Sequence, residues 1–362
     1  MIMDFLRRYS GRDIGRPSPR FNSIFAPMGA QKPCILAIES SCDDTSAAVI
    51  RDGVILSNVI ASQAIHAKYG GIVPEVASRL HQENITLVVD EALQRANISL
   101  KELDAIACTS GPGLMGSLTV GLSFAKGMAL SLGIPFIAIN HMRAHVLSHF
   151  IDEPKPSFPF LCLTVSGGHT QIVLVKSFDE MEVVGQTLDD AAGEAFDKSG
   201  KILGLPYPAG PLIDKLAQDG KANIPFPIPQ IENLDFSFSG LKTAILYYIR
   251  DHQKEDPDFI QKNINDICAS IQHTIVEILT RKISYAANLY SINEIGIAGG
   301  VAANSGLRNR LLELSKKNDW NVYFPAMQYC TDNAGMIAIA AHYQFLAGKF
   351  SPLETAPFVR GM

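Results

Sequence analysis

The chain has 362 residues, 47% of them hydrophobic and 19% charged, with a formal net charge of −5. That suits a globular protein of two domains or lobes, and the acidic balance excludes a general basic surface for nucleic acid, so RNA contact needs a local patch or a partner subunit. Apolar runs such as "LGIPFIAI" are too short to span a bilayer, and six scattered cysteines (34, 42, 108, 162, 268 and 330) without a CxxC point to a reducing compartment, not to a disulfide scaffold or a thiolate zinc site.

Residues 1–30 carry five Arg, no Lys and no Glu. They read as an organelle transit peptide or as a loose tail ahead of Met28; two Asp and the lack of a long amphipathic run favour the tail. "CILAIESSCDDTSAAVIRDGVIL" (34–56) follows as strand, polar loop, strand, Asp-Gly turn and strand. It gathers Glu39, Asp43 and Asp44 among hydroxyls and thiols. Such carboxylates suit a cation or a general base, or simply a turn capped by Asp. "PEVASRLHQENITLVVDEALQRANI" is a long amphipathic helix.

The segment 103–140 reads as a buried strand, a Gly-containing turn, a helix and a returning strand. Gly111, Gly113 and Gly116 have the spacing of a dinucleotide fingerprint. The next strand ends at Asn140, where an acidic ribose ligand would be wanted, and Pro112 stiffens the turn. Nicotinamide binding is therefore not expected, although a Gly-rich helix N-terminus suits an anion. No GxxxxGK[ST] occurs, which excludes a P-loop ATPase.

"INHMRAHVLSHF" (139–150) sets His141, His145 and His149 four residues apart on one helix face. Two imidazoles so spaced can reach one divalent ion; the alternative is a pair of half-buried rings. His149 would extend the row as a supporting or surface group, because three ligands on successive turns of one helix converge poorly. Met142 stands where a zinc peptidase of this pattern carries its glutamate base. Asp332 in "YCTDNAGM", ahead of a helix beginning near Ala334, either caps that helix or supplies a third ligand, if the two lobes bring it to the histidines.

"FLCLTVSGGHTQIVLV" (160–175) repeats the strand, loop, strand scheme, and residues 292–325 repeat the strand, Gly turn, helix, strand scheme. The order hairpin then βαβ thus occurs twice. It predicts two similar α/β lobes, 31–150 and 151–362, around a cleft. An insertion at about 185–285 holds "LGLPYPAGPLID", the Pro-rich "NIPFPIPQIENLDFSFSG" and two helices. Backbone N–H groups of the two Gly-rich hairpin loops could clasp a phosphate chain, or the loops are ordinary hairpins.

Ten motifs, in order, resemble one family. They are "IESSCDDTS", "GGIVPEVASRLH", "SGPGLMGSLTVG", "NHMRAHVLSH", "VSGGHTQ", "GEAFDK", "YPAGPLID", "FSFSGLKTA", "AGGVAANSGLR" and "CTDNAGMIA", covering about residues 34 to 355. The family is the tRNA N6-adenosine threonylcarbamoyltransferases, once labelled O-sialoglycoprotein endopeptidases. The resemblance implies the actin-like ATPase (acetate and sugar kinase, Hsp70, actin) fold. It implies transfer of threonylcarbamoyl from threonylcarbamoyl-AMP to N6 of the adenosine 3′ of the anticodon (position 37), in tRNAs reading codons that start with A. It also implies one divalent ion, iron(II) ahead of zinc, on His141, His145 and Asp332. Substrate-binding positions fall on Thr164, Val165, Ser166, Gly167, Gly168, Asp197, Gly210, Asp214 and Asn304, with a nucleotide (threonylcarbamoyl-AMP or ATP/ADP) in the cleft.

Asp43 is the candidate base for the amine, and Lys242, Arg79, Arg308 and Arg310 are candidates for a basic rim. Implied partners are tRNA, a metal-free paralogous subunit and a small P-loop ATPase, or a second copy in a homodimer, with no membrane. The expected compartment is the cytoplasm, or the mitochondrion if residues 1–30 are a transit peptide. A metallopeptidase and an actin-like ATPase regulatory module are the alternatives. Four residues depart from the family pattern: Ala209, Arg143 and the pair Ala334-Gly335.

Overall fold

The computed structural model describes residues 32–360. The expectations for residues 1–30 lie outside the described residues. The chain forms two compact units. Of the described residues, one takes 32–65, Ile72–Glu153 and 332–360; the other takes His66–Gly71 and Pro154–Thr331.

The first unit opens with β1 (Cys34–Glu39), β2 (Thr45–Arg51) and β3 (Val54–Ala61), an antiparallel meander. Asp52 and Gly53 join β2 to β3 with φ of 53° and 78°. Two positive φ values in a two-residue loop match the strand twist, which is why Asp-Gly announces a hairpin. α1 (Pro74–Ala96), β4 (Ala105–Gly111), α2 (Met115–Leu132), β5 (Phe136–Asn140) and α3 (His141–Leu147) follow. The sheet order is β3-β2-β1-β4-β5, with β1, β4 and β5 parallel.

α1 starts on a proline and ends at Asn97 in the left-handed region, and α2 ends at Gly133 in the same conformation. Cys34, Leu36 and Ile38 of β1 pack with Ile85 and Val89 of α1 and Leu122, Ala125 and Met128 of α2. Burial of each larger side chain contributes about 1.5–3 kcal/mol. The odd-numbered residues of β1 face the other side of the sheet, and Glu39 is among them.

The second unit repeats the plan. β6 (Phe160–Val165), β7 (Thr170–Val175) and β8 (Met181–Gln186) form the meander. Then come α4 (Ala192–Ile202), α5 (Gly210–Ala217), α6 (Ser239–Glu255), α7 (Phe259–Tyr290), β9 (Glu294–Ala298), α8 (Ser305–Asn318) and β10 (Asn321–Tyr323). The order β10-β9-β6-β7-β8 mirrors the first sheet strand for strand. β8 carries no Asp-Gly signal and was not expected. The region read as an insertion with two helices holds four; one of the two extra helices, α5, starts at Gly210-Pro211, where Pro and Gly density suggested only loop.

The last helix, α9 (Ala334–Leu346), corrects the expected boundary at 151–362. It packs on β1, β2 and β3 of the first unit. The reason is composition: α9 is apolar nearly all round, and its buried face needs the side of the first sheet opposite α1 and α2. Among the described residues no helix is long and apolar enough to cross a membrane. All six cysteines are free, as their spacing implies.

Candidate metal centre

Three parallel strands of the first unit end on one edge of its sheet. β1 ends in Glu39, β4 delivers Thr109, and β5 ends in Asn140 directly before His141. Ligand sites in α/β sheets gather at such carboxyl ends. The Asn140 side chain accepts the Arg143 N–H and so starts α3 there. One helical turn then sets His141 and His145 side by side, ring centroids 4.7 Å apart and nearly perpendicular.

Asp332 arrives from the far end of the chain, two residues before α9. Asn333 caps α9 by accepting from Met336 N–H, so the cap is Asn333 and Asp332 is left for other work. Ala334 N–H donates to Ser46 Oγ and Gly335 N–H to Asn58 Oδ1, at 2.9 and 3.1 Å. These bonds pin the first turn of α9 to β2 and β3, with the Ala334-Gly335 pair accommodated in the helix. Asp332 Oδ1 stands 3.3 Å from His141 Nε2 and 3.2 Å from His145 Nε2. All three side chains belong to the first unit, so no second unit is needed to assemble them.

The donor set fits a small transition ion. Ligands about 2.1 Å from one ion at tetrahedral angles stand about 3.4 Å apart, close to the separations here. Among the described residues this is the one group of three or more His, Cys, Asp or Glu side chains with ligand atoms within 4.8 Å of one another. Glu39, Asp43 and Asp44 form no such group. His149 lies in a short 3₁₀ turn after α3 and is buried, not a surface ring.

Charge is concentrated here. Burial opposes a charged His141, but the carboxylates of Asp332 and Glu39 push its imidazole well above the ordinary range. Burial, and then the neighbouring His141 charge, leave His145 below it. Burial would raise Glu39, yet His141 and a hydrogen bond from Thr109 hold it below the usual carboxylate value. Asp43 and Asp44 share the half-buried β1–β2 loop. Burial, and then the like charges of Asp43, Asp332 and Glu39, push Asp44 up to about 7 against a hydrogen bond from Ser62.

The glycines of the 111–116 turn serve close packing. A Cβ on Gly113 would stand 2.8 Å from Ser41 Cβ, and one on Gly116 would stand 3.1 Å from Ser78 Cβ. That accounts for a GxGxxG spacing without a dinucleotide.

The remaining positions expected at a substrate site lie in the second unit and form one connected strip. Thr164 and Val165 are buried at the end of β6, and Gly167 and Gly168 are exposed in the following turn. In that turn Ser166 N–H donates to His169 O, and Ser166 O accepts from Gly193 N–H at the start of α4. Asp197 of α4 accepts from Ala209 N–H at 2.8 Å, beside Gly210. Burial raises Asp197 above the usual carboxylate value despite that bond. Asp214 of α5 accepts from Ser305 N–H and Oγ, the latter at 2.7 Å. Asn304 caps α8 and donates to Gln272 Oε1.

Arg308 does not join a basic rim. Its guanidinium donates to the carbonyls of Ala302 and Pro325 and lies over the Phe324 ring. Arg310 is held by Glu277 and Glu313. Lys242 and Arg79 are exposed. Glu39 closes β1 instead of lying in the polar loop after it, and its contact with His141 was not expected. The available signal was a charged residue closing an otherwise apolar strand.

The model of the family tRNA N6-adenosine threonylcarbamoyltransferase (TsaD) matches residues 54–339. The protein of that name from Porphyromonas gingivalis is 56% identical over 332 residues, covering 90% of this chain and 97% of the relative. The one from Phocaeicola vulgatus is 57% identical, covering 90% and 98%. Among solved structures, full-length HypF in a phosphate- and nucleotide-bound form aligns over 88% of this chain and 47% of its own, with a TM-score of 0.59 at 13% identity. Component A of the Acidaminococcus fermentans (R)-2-hydroxyglutaryl-CoA dehydratase aligns over 87% and 99%, with a TM-score of 0.52 at 15% identity. At such identities these two speak to the fold alone, which is the actin-like ATPase fold.

Proposed function

The chain belongs to the tRNA N6-adenosine threonylcarbamoyltransferase family, and from that premise we propose the reaction it performs. It transfers threonylcarbamoyl from threonylcarbamoyl-AMP to the N6 amine of the adenosine 3′ of the anticodon. The new bond joins N6 to the carbamoyl carbon; the bond from that carbon to the phosphate oxygen breaks, and AMP leaves. The observation that carries this reading is the convergence of His141, His145 and Asp332 in a chain so similar to enzymes of that name.

His141, His145 and Asp332 would hold a divalent ion, iron or zinc, with iron(II) preferred. Such an ion, when bound, supplies a Lewis acid for an oxygen of the donor. The chain's own residues do the rest. Thr164 to Gly168 offer backbone and hydroxyl groups to the donor, and the side-chain-free Gly167 and Gly168 let a ligand approach the backbone closely. Gly210, Asp214 and Asn304 line the strip that receives the nucleotide, and Asp197 supports it through Ala209. Asp43 takes the proton that N6 loses. The adenine leaves its stack to react, and Lys242 and Arg79 supply basic contacts to the RNA.

A metal-free paralogous subunit and a small P-loop ATPase, or a second copy of the chain, complete the working assembly in the cytoplasm. The names of the relatives favour this reaction over a peptidase or a regulatory ATPase. The test is incubation of the protein with threonine, bicarbonate, ATP, an adenylate-forming enzyme and unmodified tRNA, with and without those subunits. Nucleoside analysis should find threonylcarbamoyladenosine with the wild type and none with His145→Ala. Absence of product in every wild-type combination overturns the proposal.

A further inference from the structure

Glu39 is wholly shielded from water at the end of β1. A carboxylate so placed persists only where donors satisfy it. Its Oε1 accepts Ser41 N–H at 2.5 Å, and its Oε2 accepts the Thr109 hydroxyl at 2.6 Å. The same Oε2 lies 3.0 Å from Nδ1 of His141. Ser41 Oγ also lies 3.2 Å from that nitrogen.

A neutral imidazole has one N–H and one lone pair, and its partners decide which nitrogen carries which. An ionised carboxylate only accepts. Facing Nδ1, Glu39 draws the hydrogen there and leaves the lone pair on Nε2, the nitrogen that points to Asp332. His145 has no such support: its Nδ1 is buried and has no hydrogen-bond partner among the described residues. The two imidazoles are therefore unequal: both reach Asp332 through Nε2, but a buried anion faces Nδ1 only in His141. The charges agree. Glu39 and Asp332 contribute two negative charges, which a divalent cation between neutral imidazoles balances.

We propose that Glu39 is the positioning residue of the metal centre, holding His141 in the Nδ1–H form so that Nε2 is the ligand, while His145 is the unsupported ligand. This rests on the reading of His141, His145 and Asp332 as an ion site. Glu39→Gln is the informative change. Its amide oxygen stays on Ser41 N–H, the donor that admits no other group. The amide nitrogen then faces His141 Nδ1 and donates to it. The ring hydrogen moves to Nε2 and blocks the ligand.

Metal-free wild type and Glu39→Gln are titrated with zinc against a chromogenic chelator, with circular dichroism as the check on folding. Outer-shell partners of this kind are worth about 10- to 100-fold in affinity, and a loss in that range is expected. Equal affinity of a folded Glu39→Gln overturns the assignment of Glu39 but leaves the ion site standing. A wild type that binds no zinc overturns both. Long-range ¹⁵N–¹H spectra of zinc-loaded wild type need no variant. They should show His141 protonated at Nδ1 and metallated at Nε2; the reverse pattern refutes the proposal. A purely structural Glu39 would leave the tautomer unconstrained.

Discussion

Replace Gly113 with alanine and the new Cβ stands 2.8 Å from Ser41 Cβ, closer still to the Ser41 carbonyl oxygen. Carbon atoms in contact prefer about 3.5–4.0 Å, so the β4–α2 turn must retreat from the β1–β2 loop by about 1 Å. Overpacking of this kind costs about 1–3 kcal/mol. The retreat also stretches the 2.7 Å bond from Leu114 N–H to Ser41 O, worth about 1 kcal/mol. Gly113→Ala should therefore destabilise the first unit by about 2–4 kcal/mol. Gly127, inside α2, is the control, because nothing lies within 4 Å of a Cβ added there. Gly127→Ala removes backbone entropy from the unfolded chain and should stabilise by about 0.5–1 kcal/mol. The same chemical change thus has opposite signs fourteen residues apart. Urea unfolding followed by circular dichroism reads both. A Gly113→Ala variant as stable as wild type would refute the close-packing account of this turn and return it to a ligand-binding role.

His145→Ala and Asp332→Ala should each take zinc content, read by plasma mass spectrometry, from about one ion per chain to nearly none; full loading of either would dissolve the proposed centre. Asp44, pushed up to about 7 from its ordinary 3.8, holds its proton more tightly folded than unfolded. Metal-free protein should then lose stability as pH rises between about 4 and 7, by at most about 4 kcal/mol, and Asp44→Asn should flatten that slope in urea midpoints. A slope unchanged by the substitution would show that Asp44 is not the group responsible. Arg308→Ala should orphan the carbonyls of Ala302 and Pro325 and cost the second unit about 1–3 kcal/mol, while tRNA affinity in filter binding stays unchanged. A selective loss of tRNA affinity would restore Arg308 to the basic rim.

What the sequence made legible was whatever is encoded locally. The Asp-Gly turn, the i and i+4 histidines and the Gly-interrupted βαβ segments each state a backbone conformation within a few residues. The doubled order of hairpin and βαβ could be read for the same reason. Glu39 was misplaced because its role depends on Thr109 and His141, which lie 70 and 102 residues away and approach only when β1, β4 and β5 align. The boundary at 151–362 failed because the destination of α9 is set by which sheet face lies uncovered, and no residue of α9 records that. Arg308 looked available because a sequence shows its charge but not the carbonyls that consume it.

The two units share a scaffold down to register, and comparing equivalent positions explains why their chemistry differs. β1 pairs Ile35 with Ala105 through Ile38 with Cys108, and β6 pairs Leu161 with Ile295 through Thr164 with Ala298. One step further, Glu39 and Thr109 in the first unit correspond to Val165 and Gly299 in the second. The first pair stores a negative charge and a hydroxyl donor. The second brings bare backbone together: a Cβ on Gly299 would collide with the Val165 carbonyl. Ser46 and Thr170 also correspond, opposite Glu39 and Val165, and each hydroxyl accepts the first N–H of a helix packed on its sheet, Ala334 of α9 and Ala192 of α4. Two residues before each helix stands an aspartate. Asp332 meets two imidazoles, whereas Asp190 meets Lys198. Lysine meets the aspartate in the second unit, whereas in the first its neighbours are two imidazoles, side chains that can also serve as metal ligands. On a common frame, one unit thus gathers carboxylates and imidazoles at this edge, where the other presents bare backbone and an ion pair.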